Sequence, residues 1–483
     1  MGFGAGGMES DAFMRAAQAG AAAPRRLRWI RDDRHAVLLG LMVWALVVLM
    51  IVPDDFDYSA LSNPNAPAAG GLVSRLTWLL LLVGGLAVIA RRRELAGQLW
   101  RHLNPWLALF ALLAAASVAW SIEPDYTVRR MVRVLTFIVD GCALALMAWH
   151  PRRLQQVLRP IVTLMLAGSL LFGLLQPQLA IHQETSPELL GAWRGLANHK
   201  NSFGALACLG MILWFHAGLA GETKRWRAMA GLTLAAACLV LSRSSTSLVA
   251  AAFSLVLLGL VQRPTPWLRR HIPLAVTLFG AGLTAYALIV LRVLPGISLL
   301  FGPVSALTGK DMSMTGRADI WQLISEHIAQ RPLLGSGYGA YWTGLHPGTD
   351  SYAFVQNLGF YPGSSHNGYL EVFNDLGLAG GICLAGFIVV CLRQSLRLLR
   401  SDADQAALFL ALFLQELVVN LSESHWFSVL SVNFAVITLA TAALARSLLE
   451  QRLRLCFGEP DLGAPPLKVA PLPALDGESH AQA

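Results

Sequence analysis

"PRRLRWIRDDRHAVLLGLMVWALVVLMIV", Pro24–Val52, joins five arginines to a run without any charge. Such a junction marks a membrane boundary, because charge stays in water while an apolar run of about this length enters lipid. The run needs no cleavage and is expected to act as an anchor. The same alternation continues to near the end of the 483 residues. Only 14% of the chain is charged and 55% is hydrophobic, where a soluble chain carries roughly a quarter charged residues. The expected fold is an all-α polytopic membrane protein.

About twelve spans are predicted, at 36–52, 72–90, 103–120, 131–148, 157–175, 201–219, 228–241, 246–262, 272–292, 367–392, 406–421 and 427–445. This divides the chain into a cytoplasmic tail (1–35), nine spans (36–292), a large periplasmic loop (293–366), three spans (367–445) and a second cytoplasmic tail (446–483). Alternate connections and the two tails together hold 26 of the 37 lysines and arginines. That bias puts them, with both termini, in the cytoplasm. It also explains the net charge of +8 without a nucleic-acid partner. Six scattered cysteines form no CxxC or CxxH pattern, so neither a zinc site nor a disulfide framework is implied.

Cations on the opposite, sparsely charged face need another reason. "WRGLANHKNSFG", Trp193–Gly204, places Arg194, His199 and Lys200 there, with Asn201 at a helix start. A helix N-terminus beside cations is a ready anion site; a snorkelling interfacial cluster is the plain alternative. "SRSSTS" puts Arg243 at a turn on the same face, where a simple capped turn would also account for it. Arg129, Arg130 and Arg133, at the outer end of the fourth span, extend the positive funnel.

"SMTGRADIWQLISEHIAQRPLLGSGYGAYW" contains an amphipathic helix with Ile320, Trp321, Ile324 and Ile328 on one face and Pro332 ending it near Gln330. Arg317 falls in its first turn, where a cation opposes the helix dipole unless an anion binds; a surface arginine is the plain alternative. Tyr338, Tyr341 and Trp342 follow in a Gly-rich turn and are expected to line a sugar site. "SSHNGYLEVFNDLGLAGG" sets His366 and Asn367 at the mouth of the tenth span. A neutral imidazole there suits proton abstraction from a hydroxyl; a capping interfacial histidine is the alternative. Glu371 and Asp375, four apart, share a face and are expected to orient His366 or hold a sugar hydroxyl. Asp140, Glu416, Arg292 and His216 read as cross-helix pairs. Fixed arginines plus one base beside lipid describe glycosyl transfer from a polyprenyl-diphosphate donor.

These motifs, in this order and spacing, resemble the O-antigen ligase and Wzy-type polysaccharide polymerase family over residues 190–385, with "HKN" and "HNGYLEV" similar to its ExoQ-like exopolysaccharide polymerases. The resemblance implies a GT-C-like enzyme of the bacterial inner membrane, using an undecaprenyl-diphosphate-linked glycan with neither metal nor cofactor. By motif position it makes Arg194, Arg317 and His366 catalytic, with Arg194 and Arg317 on the diphosphate and His366 as base. Arg243, Lys200, His199, Asn201, Asn367, Glu371 and Tyr338 are the substrate-binding candidates. Lys200 stands where relatives often carry proline. A chain-length regulator, export machinery and membrane lipids are the expected partners. A ligase with a lipid A-core acceptor, and a transporter or flippase of lipid-linked glycans, remain the alternatives.

Overall fold

The structure is a computed structural model that describes residues 36–52, 72–147, 153–183, 189–262, 317–344, 347–428 and 431–457, with scattered positions from 267 to 285. Its described helices of eight or more residues are α1 (Ala36–Ile51), α2 (Leu72–Arg91), α3 (Arg93–Trp100), α4 (Pro105–Ala116), α5 (Pro124–Met147), α6 (Arg153–Leu175) and α7 (Lys200–Leu219). They continue with α8 (Arg225–Leu241), α9 (Ser245–Gln262), α10 (Arg317–Gln330), α11 (Gly368–Leu398), α12 (Ala403–Val419) and α13 (Val432–Phe457). All contacts described below lie within the compact unit Arg25–Leu449.

Among the described residues six helices are long and apolar enough to cross a membrane, and the α3–α4 pair, bent by 100°, makes a seventh if it counts as one broken span. The chain is therefore a multi-pass helical membrane protein. Helices also occupy the remaining expected spans, except 272–292, which lies outside the described residues apart from scattered positions. They fall short for physical reasons. α8 and α12 have 17 residues each, roughly 25 Å against a hydrocarbon core of about 30 Å. α5 starts at Pro124, not near 131, so Arg129 and Arg130 ride on the helix with Arg133 rather than before it. Proline at the first helical position and Asp125 in the first turn explain the earlier start.

α7 packs closely on α8 and α9, and α9 on α12. Lipid tails are as apolar as leucine, so close packing rather than water exclusion holds these helices together. Small residues let the backbones approach: a Cβ on Gly210 would sit 3.2 Å from Ala235 Cβ, and one on Gly204 would press on Ser242, Ser244 and Ser247. α13 is the most enclosed span and α2 the least, with Leu76, Leu79, Leu80 and Val83 of α2 exposed.

α11 is broken at Gly377, whose φ of 59° and ψ of −152° are open only to glycine. The freed amides of Leu378 and Ala379 donate to Pro332 O (2.8 Å) and Leu333 O (3.1 Å). Returning bonds run from Ser336 N to Asn374 O and from Gly337 N to Asp375 O. The segment after α10 is thus laced onto the break in α11. A Cβ at Gly377 would collide with the Leu333 backbone, which cannot rotate away. Gly377→Ala should therefore lower thermal stability by about 2 kcal/mol or more. Unfolding of the detergent-solubilised protein measures this; an unchanged midpoint would contradict the latch.

α10 begins at Arg317 and ends at Gln330, where the sequence puts its stop. Ile320 and Ile324 pack with Tyr341, Trp342, Phe354 and Leu370 in a small core of their own. This corrects the expected sugar-lining aromatics, since Tyr341 is 3% and Trp342 5% exposed. Burial of that much aromatic surface gives a loop segment the hydrophobic core it otherwise lacks.

Candidate functional site

The site forms where four segments meet: the start of α7, the first turn of α10, the loop before α11 and the loop after α12. Each is held locally. His199 is the N-cap of α7, its Nδ1 accepting from Asn201 N (3.3 Å), while His182 Nε2 accepts from Lys200 N (3.1 Å). The two imidazoles lie edge to face at 5.2 Å. Asn367 caps α11 through its Oδ1, which accepts from Tyr369 N and Leu370 N. Buried at 0% exposure, Asn367 is committed to the backbone. Gly368 follows because any side chain there would strike Asn420.

His366 precedes this cap at φ 49°, a strained backbone for a non-glycine residue. Its loop is over-determined by neighbours. Glu371 Oε2 accepts from Ser365 N (2.9 Å) and Ser424 Oγ (3.3 Å), and Asn367 N donates to Ser424 Oγ (3.2 Å). Trp321 Nε1, one turn along α10 from Arg317, donates to Ser365 O (3.0 Å). So α10 and the histidine loop are fastened to each other.

The centre is Glu423, a residue that the sequence reading passed over. Arg317 Nη2 donates to its Oε1 at 3.2 Å, and Asn201 Nδ2 donates to the same oxygen. His366 Nδ1 lies 3.7 Å from Oε2, too far for a hydrogen bond, and is otherwise enclosed without a partner. Burial alone would raise the Glu423 carboxyl, but the His366 contact and the charges of His366, Arg317 and His199 outweigh it and hold it down to about 2. An ionised carboxylate facing Nδ1 favours the tautomer with its proton on that nitrogen, leaving the Nε2 lone pair for chemistry.

Burial, partly offset by Glu423, pushes His199 down to about 4, and His425 nearby is pushed to about 4 for the same reasons. In all three groups the folded value lies below the ordinary one, so the unfolded chain takes up the proton first and acid favours unfolding. The histidine contribution is lost between about 6.5 and 4, and that of Glu423 between about 4.5 and 2. Replacing His199 and His425 together by glutamine should therefore raise the midpoint at pH 5 relative to that at pH 7, compared with the unsubstituted chain, as paired thermal melts would show; an unchanged pH dependence contradicts the charge assignment.

The other candidates sit elsewhere. Arg194, 7% exposed, donates through Nε to Leu179 O (2.7 Å). Arg243, exposed at φ 49°, donates to Leu190 O (3.0 Å). Among the described residues neither makes a hydrogen bond or ion pair with Glu423, Arg317 or His366. The Arg243 turn still reaches the site through Thr246 Oγ1, which bonds Ser422 Oγ beside Glu423. Tyr338 is 3% exposed and its hydroxyl donates to Phe427 O, so it has no free group for a ligand. Asp375 accepts from Gly339 N (2.8 Å) and steadies the Gly-rich turn rather than His366. Arg130, Tyr338, Glu371, Asp375 and Trp426 line a cavity of ≈ 30 Å³, room for about two waters.

The arrangement offers one arginine, one oriented imidazole and a carboxylate between them at the end of a membrane helix. A protein-family model described as O-antigen ligase (Wzy_C) matches residues 230–385, which hold Arg243, Arg317, His366 and Glu371 but not Glu423. The chain is also 30% identical, over 341 residues, to the exopolysaccharide production protein ExoQ of Rhizobium meliloti (strain 1021). That similarity covers 67% of this chain and 72% of ExoQ. A likeness of that extent, together with the matched segment that carries the arginine helix and the histidine loop, makes this chain a member of the O-antigen ligase/Wzy-like family.

Proposed function

We propose that the chain is a polysaccharide polymerase, transferring a growing glycan from undecaprenyl diphosphate to a hydroxyl of the next lipid-linked repeat unit. In the step, the acceptor oxygen bonds to the anomeric carbon as the bond from that carbon to the diphosphate oxygen breaks. The hydroxyl proton passes to His366 Nε2, and the bonding electrons leave on the diphosphate. Arg317 takes up the charge developing there through its forked guanidinium, and Glu423 keeps the imidazole in its basic orientation. Positive charge at the start of α7, from Lys200 and the helix dipole, adds to the anion's attraction.

The observation that carries this reading is the meeting of Arg317, His366 and Asn201 on one carboxylate, Glu423. The reading includes twelve spans in a GT-C-like arrangement in the bacterial inner membrane, both termini in the cytoplasm, and the site open to the periplasm. A chain-length regulator and export machinery would act beside it, and no metal takes part.

A ligase reading shares the donor chemistry and is favoured by the O-antigen ligase description of the matched segment; the exopolysaccharide name of the relative favours polymer synthesis. Glycans of a deletion strain separate the two. Single repeat units left on lipid carriers support the polymerase, and full-length unattached chains overturn it in favour of the ligase.

A further inference from the structure

α11 has 31 residues, roughly 46 Å at 1.5 Å per residue, too long for a bilayer core of about 30 Å. The break at Gly377 resolves this. From Leu378 to Leu398 about 21 residues remain, roughly 31 Å, which fits one crossing. Along that piece Leu378 (47%), Ile382 (51%), Ala385 and Val389 (53%) are exposed at helical spacing, and the stripe ends in exposed Arg393 and Arg397. An apolar stripe capped by arginines faces lipid. Gly377 therefore marks the level at which the hydrocarbon ends on the His366 side.

Two more leucines sit at that level. Leu333 is 65% exposed and Leu334 45%, although both belong to an extramembrane segment. Their backbone is fixed against the top of the stripe, through Leu378 N to Pro332 O and Ala379 N to Leu333 O. Trp120 Nε1 donates to Leu334 O (3.0 Å), an indole placed where interfacial tryptophans sit. Exposed Arg331 precedes them, as a snorkelling residue would.

From this continuity we infer that Pro332–Leu334 is a membrane anchor, its two leucines inserted among the lipids of the leaflet on the His366 side. The partner is the lipid surface itself. Pro332 lies two residues beyond the end of α10, so the anchor fixes the height of that helix, and of Arg317 at its start, above the bilayer.

The test needs no activity. Leu333→Cys, Leu334→Cys and, as a control on an exposed face of α10, Gln322→Cys are labelled with an NBD maleimide in phosphatidylcholine–phosphatidylglycerol liposomes. The unsubstituted chain, whose described cysteines are buried or half-buried, gives the background. Emission from positions 333 and 334 should shift to the blue. Shallow spin-labelled lipids should quench it at least two-fold more than at position 322, and aqueous iodide correspondingly less. Water-like emission with iodide quenching equal to position 322 overturns the anchor. Protection from both quenchers overturns it too, since it would mean a protein cover rather than lipid.

Discussion

His366→Ala and Arg317→Ala should each stop chain elongation while the protein still inserts and keeps its fold, at a melting temperature lowered by the partner that Glu423 loses. Loss of a general base costs about 10²- to 10⁴-fold, and loss of a charge-stabilising donor in a water-poor site about 10²- to 10³-fold. Folding should survive because the histidine loop is held by Glu371, Ser424 and the Trp321 indole, not by the imidazole. Arg317→Lys should be nearly as harmful as Arg317→Ala, because a point charge cannot replace a forked contact with phosphate oxygens. Polymer length in complemented deletion cells, with protein level as control, gives the answer. Near-normal lengths in either alanine variant would remove the assigned roles.

The second large effect is expected at Glu423. Glu423→Gln keeps the shape and a hydrogen-bond acceptor for Arg317 and Asn201 but removes the charge that faces His366 Nδ1. The imidazole then loses the bias towards the productive tautomer, and turnover should drop on the order of 10²-fold. Donor binding should not weaken, since Arg317 loses a competing anion. The expected signature is a fall in kcat with KM for the donor unchanged or lower, whereas Arg317→Ala raises KM as well. A rise in KM with kcat intact would show that Glu423 holds substrate and does not orient the base.

The helices were legible because lipid enforces long uncharged runs, Arg317 because a cation in the first turn of a helix opposes the helix dipole, and His366 because an imidazole stands at the mouth of a span. The end of α10 followed from Pro332. What stayed hidden depends on contacts between distant segments. Glu423 lies in the short "SESHW" loop, and its partners Arg317 and Asn201 are 106 and 222 residues away in sequence. Its one available signal was a carboxylate two residues from a histidine at the end of a span. Tyr341 and Trp342 misled because aromatics in a Gly-rich turn suit a sugar platform and a small core equally, and only the packing of α10 decides for the core. The break in α11 had a local cue, Gly377 within "NDLGLAGG", in a helix too long for one crossing. Arg194 shared its motif with His199 and Asn201, but its side chain turns back onto the Leu179 carbonyl.

Purified protein in liposomes, supplied with a polyprenyl-diphosphate-linked repeat unit, tests the central claim most directly. Longer lipid-linked glycans are expected, with one polyprenyl diphosphate released for each bond formed, and neither product from His366→Ala. Movement of the lipid-linked repeat across the bilayer with no new glycosidic bond would contradict it.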